Sequence, residues 1–176
     1  MRALSIMQPW ASLIVGWADD GGSKHRGPKS IENRTWRPST SLIGQRFAVH
    51  ASKREDDSVG ASLLGAKHIY NPGTSELTAN PREYVGRTSP LPSSAIVGVA
   101  TLAMVVIDRH ELRVWNQHHA AAHDDDDEQW YMGGVGLVLR DRIAIDPITG
   151  VRGALGFWTL PEDVEHQVIE QLARAS

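Results

Sequence analysis

Gly27-Pro28-Lys29-Ser30-Ile31-Glu32-Asn33-Arg34-Thr35-Trp36 sets a lysine, a glutamate, an asparagine, an arginine and a tryptophan directly after a glycine turn. Read as a strand, its side chains alternate between two faces. Lys29, Ile31 and Asn33 then share one face, and Ser30, Glu32, Arg34 and Trp36 the other. A carboxylate flanked by a guanidinium and an indole can hydrogen-bond and stack a planar polar ligand, and a nucleobase is such a ligand. The competing reading is a surface strand whose Glu–Arg pair contributes less than about 1 kcal/mol.

Working outward, Ala3–Met7 reads as a first strand and Gln8-Pro9-Trp10 as the start of a helix, since proline suits the first helical position. Trp10, Leu13 and Ile14 form its apolar stripe, and Gly16 fits its end. The polar, glycine-rich stretch 18–27 is a loop. Ser30–Trp36 and Gln45–Ala51 are the next strands. Ser52–Lys67 has helical composition weakened by Gly60 and Gly65, and the proline-rich Asn71–Ser94 reads as a long loop. Ala95–Ile107 is apolar on both faces and β-branched, as a central strand should be, with Gly98 permitting a bend or bulge. A helix over Arg109–Ala122 and a strand over Val135–Ile145 follow. Next come a turn at Asp146–Gly150 and a last strand, Gly153–Leu160. Thr159-Leu160-Pro161-Glu162 matches a capping box for a tail helix, in which Val164, Val168 and Leu172 recur every four residues.

Composition sets the bounds. The 176 residues, 41% of them hydrophobic, suit one soluble globular domain with a substantial core. Cysteine is absent, which excludes disulfides and thiolate zinc sites and suits a cytoplasmic location. No apolar run approaches ~18 residues, so no membrane span or membrane partner is expected. The net charge of −3 hides an asymmetry. Residues 24–54 hold eight basic side chains (Lys24, Arg26, Lys29, Arg34, Arg37, Arg46, Lys53, Arg54) against one acidic, Glu32. Such a window attracts phosphates if the charges share a face. The C-terminal half is acidic. His118, His119, His123 and Asp124–Asp127 form a cluster, but it lacks the alternating spacing and closing glutamate of a calcium loop. No metal and no cofactor is expected, and the acidic run should lie off any phosphate-binding face.

Several blocks recur in a telling order: Met1-Arg-Ala-Leu-Ser-Ile-Met-Gln-Pro-Trp10, the Gly27–Trp36 segment, Gly44-Gln-Arg-Phe-Ala-Val-His-Ala-Ser-Lys53, Ile96-Val-Gly-Val-Ala100 and Arg152-Gly-Ala-Leu-Gly-Phe-Trp158. In this order, over about residues 1–160, the chain resembles the ASCH (activating signal cointegrator homology) domain, a branch of the PUA-like fold. The resemblance implies an α+β fold: a PUA-like mixed β-barrel with flanking helices spanning 1–160, with residues 161–176 as a helix packed on the same domain. It also implies a cleft for RNA or modified nucleosides. Lys29, Glu32 and Arg34 match the family's Gly-x-Lys-x-x-Glu-x-Arg pattern. Relative to that pattern, an insertion of roughly ten residues precedes Gly27, a kind of insertion that sits on surfaces and often borders sites.

The expected ligand-binding residues are Trp10, Lys29, Glu32, Asn33, Arg34, Trp36, His50, Lys53 and Arg152. Asn33 would serve through its amide and Trp36 through stacking or core packing. Trp10 reads about equally as a core aromatic. His50 would hydrogen-bond a base or move protons near neutral pH, or be a satisfied structural histidine. The first reading of function is binding of RNA or a modified nucleobase. One alternative is an enzyme in the same cleft, a ribonuclease or a nucleoside amidohydrolase, because some relatives hydrolyse acylated cytidine nucleosides. There a lysine is followed three positions later by a threonine nucleophile, whereas this chain has Glu32 in that place. Glu32 would then act as general base on water, with Lys29 stabilising the oxyanion. Another alternative is a protein-interaction module using the acidic C-terminal half. The oligomeric state stays open.

Overall fold

A computed structural model describes residues 1–18, 24–25, 27–56, 69–70, 77–78, 91–119 and 127–174. Six strands form one mixed sheet: β1 (Arg2–Gln8), β4 (Ile31–Arg34), β5 (Arg46–Glu55), β8 (Ala95–Val106), β9 (Val135–Thr149) and β10 (Phe157–Thr159). Their order is β10-β1-β5-β8-β9-β4, with β1 parallel to β5 and the other neighbours antiparallel. Two short pairs lie apart, β2 (Trp17–Ala18) with β3 (Lys24–His25) and β6 (Ile69–Tyr70) with β7 (Leu77–Thr78). The helices among the described residues are α1 (Trp10–Val15), α2 (Arg109–His119), α3 (Asp127–Trp130) and α4 (Glu162–Arg174).

The sheet curls strongly, and bulges supply the bend. Register shifts fall at Ile6/Gln8, Val49/His50, Ile96/Gly98, Val99/Thr101 and Leu102/Met104, and each extra residue sharpens local twist. Gly98 also allows close approach, since a Cβ there would meet Ile143 O at 2.4 Å and the Val15 side chain at 2.7 Å. The hydrogen-bonded ladder stays open between β10 and β4, and side chains span the gap. Arg34 donates to Ser5 O at 2.8 Å, and Trp36 meets Phe157 edge-on at 6.2 Å. The fold is therefore α+β with a curled mixed sheet.

Three apolar clusters fill it. Inside the curl, Leu4, Ile6, Phe47, Val49, Val97, Leu102, Leu137 and Leu139 pack against Ile14 and Val15 of α1. A second cluster joins Leu13, Ile31 and Val138 to Leu112 of α2 and to Trp130 and Tyr131. On the outer face, Val164 and Val168 of α4 cover Ala3, Ala48, Ile96 and Val99. These positions bear out the 3.6-residue stripe of the tail helix.

Several sequence expectations need correcting. β5 continues through Ser52–Glu55, where helical composition was read, and residues 57–68 lie outside the described set. So does most of the Asn71–Ser94 loop. α2 covers Arg109–His119, and residues 120–122 of the expected helix lie outside the described set; β9 runs on through Asp146 to Thr149 before the turn at Gly150. The last strand covers only Phe157–Thr159. The tail helix starts at Glu162, so Thr159 is not its cap; its hydroxyl accepts from Arg2 Nη1 at 2.9 Å across the β1–β10 pair. Pro161 disfavours the helical conformation at Leu160, the residue before it, which would have to be the first helical residue if Thr159 were the cap. Among the described residues, no helix is long and apolar enough to cross a membrane.

Candidate functional site

The Gly27–Trp36 segment owes its position to α1. A Cβ on Gly27 would lie 2.3 Å from Leu13 O, so only glycine lets the chain pass this close to the helix C-terminal turn. Two residues on, Lys29 N donates to Leu13 O at 2.9 Å. The helix end thereby uses one of its unpaired carbonyls to fix the lysine backbone. β4 begins only at Ile31, so strict alternation does not reach back to Lys29. The lysine therefore joins Glu32 instead of facing away from it, which corrects the face assignment made from sequence.

Lys29 Nζ donates to Glu32 Oε2 at 2.6 Å and to Ile31 O. Arg34 Nη2 lies 3.1 Å from Glu32 Oε1. One carboxylate thus holds two cations, one on each oxygen, with Lys29 and Glu32 both buried. Burial pushes the Lys29 amine below its ordinary range; the charge and hydrogen bond of Glu32 oppose this, and Arg34 and Arg142 add to it. The surface-strand reading fails here, because the group is inside the fold.

This triad floors a cavity of about 530 Å³, also lined by Met7, Trp10, Asp56, Trp130 and Met132. Trp10 is half-buried, donates its indole N–H to Asp56 Oδ2 at 2.8 Å and carries Lys29 Nζ 5.6 Å from its ring centroid. Trp130 is 4% exposed, and its indole N–H has no hydrogen-bond partner among the described residues. Asn33 borders the cavity, but its amide is committed: Nδ2 donates to Trp130 O at 2.8 Å and Oδ1 accepts from Met132 N at 2.9 Å. It secures the loop that forms the opposite wall. The sequence reading missed Asp56, Trp130 and Met132, which come from segments distant in sequence from Lys29; no local pattern marks them.

Trp36 is not in this cavity. It packs against the inner core and Phe157, with the Arg34 guanidinium 5.9 Å from its ring. Its expected role in stacking a ligand gives way to core packing.

His50, Lys53 and Arg152 line a neighbouring cavity of about 500 Å³, which shares Ser5, Ser52 and Leu155 with the first. His50 is buried there and fully engaged. Its Nε2 lies 2.9 Å from Val151 O and its Nδ1 3.1 Å from Ser5 Oγ. A carbonyl only accepts, so Nε2 carries the proton and Nδ1 accepts from the serine hydroxyl. Ser5 Oγ accepts in turn from Trp158 Nε1 at 3.1 Å. Burial pushes the His50 pKa down, against the opposing effect of its bond to Val151. His50 is therefore a neutral structural histidine, and the proton-transfer role considered from sequence is set aside.

Among the described residues, the basic window does not form one patch; Arg26 and the side chain of Lys24 lie outside the described set. Lys29 and Arg34 turn inward, while Arg37, Arg46, Lys53 and Arg54 are exposed. Arg46 and Lys53 lie near opposite ends of β5, roughly 23 Å apart at ~3.3 Å per residue. Of the histidine–aspartate cluster, His119 bonds Trp115 O at 2.8 Å and stacks on that indole at 4.3 Å. Residues 120–126 lie outside the described set.

No family model and no curated protein matches this chain. Among solved structures it is similar to crystal structures of the ASCH protein of Zymomonas mobilis. A serine-to-alanine mutant of that protein is 16% identical, with 96% of this chain and 94% of that one covered and a TM-score of 0.47. The unmutated protein is 15% identical, with 96% and 93% covered and a TM-score of 0.45.

Proposed function

We propose that this chain is an ASCH-type domain that binds RNA or a modified nucleobase in the Lys29–Glu32–Arg34 cavity. The observation that carries this reading is the convergence of a buried carboxylate, two cations and two indoles on one concave space of about 530 Å³. Glu32 has accepted one cation on each oxygen, and a carboxylate offers about four lone-pair sites, so capacity remains for a base amino or imino group. Trp10 and Trp130 supply the apolar walls that a planar ring needs.

Titration of the protein with the four common nucleosides and a set of base-modified ones, followed by calorimetry, tests the reading. Saturable one-to-one binding of at least one nucleoside, weakened by Glu32→Gln, is expected. Failure of every nucleoside and of single-stranded RNA to bind would overturn it.

A hydrolase in the same cavity is the second reading, and one observation favours it: a buried lysine with a lowered pKa bonded to a carboxylate. The Thr nucleophile of the cytidine-deacylating relatives is replaced by Glu32, and Ser30 is fully buried and does not line the cavity. Catalysis would require Glu32 to take a proton from water while Lys29 stabilises the developing oxyanion. Incubation with acylated cytidine and with RNA, with and without EDTA, separates binding from turnover.

A further inference from the structure

We propose that the neighbouring cavity is a phosphate subsite for the same ligand, so that the chain takes a nucleotide or an RNA strand in preference to a free nucleoside. The inference rests on the nucleobase reading of the first cavity. The two hollows are contiguous, sharing Ser5, Ser52 and Leu155 along their common border. A base seated against Glu32 would send its sugar across that border toward Lys53 and Arg152.

The lining of the second cavity is chemically one-sided. Among the described residues it contains two exposed cations, Lys53 and Arg152, and no carboxylate. The first cavity already neutralises part of its positive charge with Glu32 and Asp56; among the described residues the second has no such group. A guanidinium fork matches phosphate oxygens in pairs, and an ammonium adds a point charge.

Arg152 is also held in place. Val151, just before it, is tied through both backbone groups: its N–H donates to Ser94 O at 2.9 Å, and its carbonyl accepts from His50 Nε2 at 2.9 Å. Gly153, just after it, lies against the same histidine, where a Cβ would meet His50 Cε1 and Ser5 Oγ at 2.5 Å. The loop is thus clamped on either side of Arg152, and His50 acts as a positioning residue for it. This gives the buried, neutral histidine a purpose that a proton-transfer role does not.

The test compares each nucleoside with its 3′- and 5′-monophosphates by calorimetry at low salt, on the full chain and on a Lys53→Gln/Arg152→Gln double variant. At least one monophosphate should bind tenfold or more tightly than its parent nucleoside, and this ratio should fall to near one in the double variant. Arg37→Gln/Arg46→Gln likewise removes two exposed charges, both outside the two cavities, and should leave the ratio intact. Equal affinity for nucleoside and both monophosphates would overturn the subsite while the nucleobase reading stands. A ratio lost equally in Arg37→Gln/Arg46→Gln would also overturn it, as general charge attraction. If no nucleoside, no nucleotide and no single-stranded RNA binds, the nucleobase reading falls and the subsite with it.

Discussion

Glu32 lies between Lys29 and Arg34, with one carboxylate oxygen for each. Glu32→Gln keeps the shape and removes the charge. If the carboxylate receives a base, affinity for the best-binding nucleoside should fall at least tenfold, about 1.4 kcal/mol, with melting changed far less. If it serves only to balance the buried Lys29 and the partly buried Arg34, the cost moves to stability, up to roughly 3–5 kcal/mol, and the folded fraction binds normally. Melting and calorimetry on one preparation decide between the two. The triad was legible in sequence because Lys, Glu and Arg stand within six positions of each other. Its geometry was not, because alternation assumes a strand that starts two residues too early. His50 yields a second expectation. Its folded pKa is depressed below the ordinary value near 6.5. The unfolded chain therefore takes up a proton first as pH falls, and the associated stability, complete above about 6.5, is lost on acidification toward the folded pKa. The wild type should lose more melting temperature between pH 7.5 and 5.5 than His50→Gln does. Parallel losses would mean that His50 does not titrate this way.

The helix α1 and the strand β4 form a unit, joined by the Lys29–Leu13 backbone bond and by the space left at Gly27. A Gly27→Ala methyl would collide with backbone carbonyls, which cannot swing aside as a side chain would. Overpacking of this kind costs about 1–3 kcal/mol, and the displacement should fall on Lys29, two residues away. Reduced thermal stability together with weakened nucleoside binding is expected; a variant with wild-type melting would show that the approach is looser than described. At this scale the sequence was informative where a periodic signal was long. Leu13, Ile14, Val164 and Val168 are buried as their spacing required. Boundaries failed where a neighbouring element overrode local composition. Ser52–Glu55 is strand because β1 offers it a partner, with Gln8 opposite Glu55. Asp146 and Pro147 stay extended because β9 follows β8 to its end, with Ile148 opposite Ile96 and Thr149 opposite Ala95.

Across the whole molecule, the two ends of the sheet order, β10 and β4, meet without sharing a ladder. Among the described residues the junction includes the Trp36–Phe157 edge contact at 6.2 Å and, beside it, the Arg34 bond to Ser5 O of β1 at 2.8 Å, with Phe47 edge-on to Phe157 at 5.1 Å behind them. No local reading reveals such a closure, since Trp36 and Phe157 lie far apart in sequence; an indole beside an arginine looked like a ligand platform. The closure matters for the site because Arg34 belongs both to the junction and to the Glu32 triad. Trp36→Ala should therefore act at a distance. A large aromatic truncated in a core costs about 3–5 kcal/mol, and Trp36 is half-buried, so the lower end is expected. The distinguishing readout is amide hydrogen exchange. If Trp36 closes the sheet, protection should fall together in β4 and β10, although β1, β5, β8 and β9 separate them in the hydrogen-bonded order. Loss confined to β4 would mean that the indole supports only the strand it follows and that the sheet's two edges are independent.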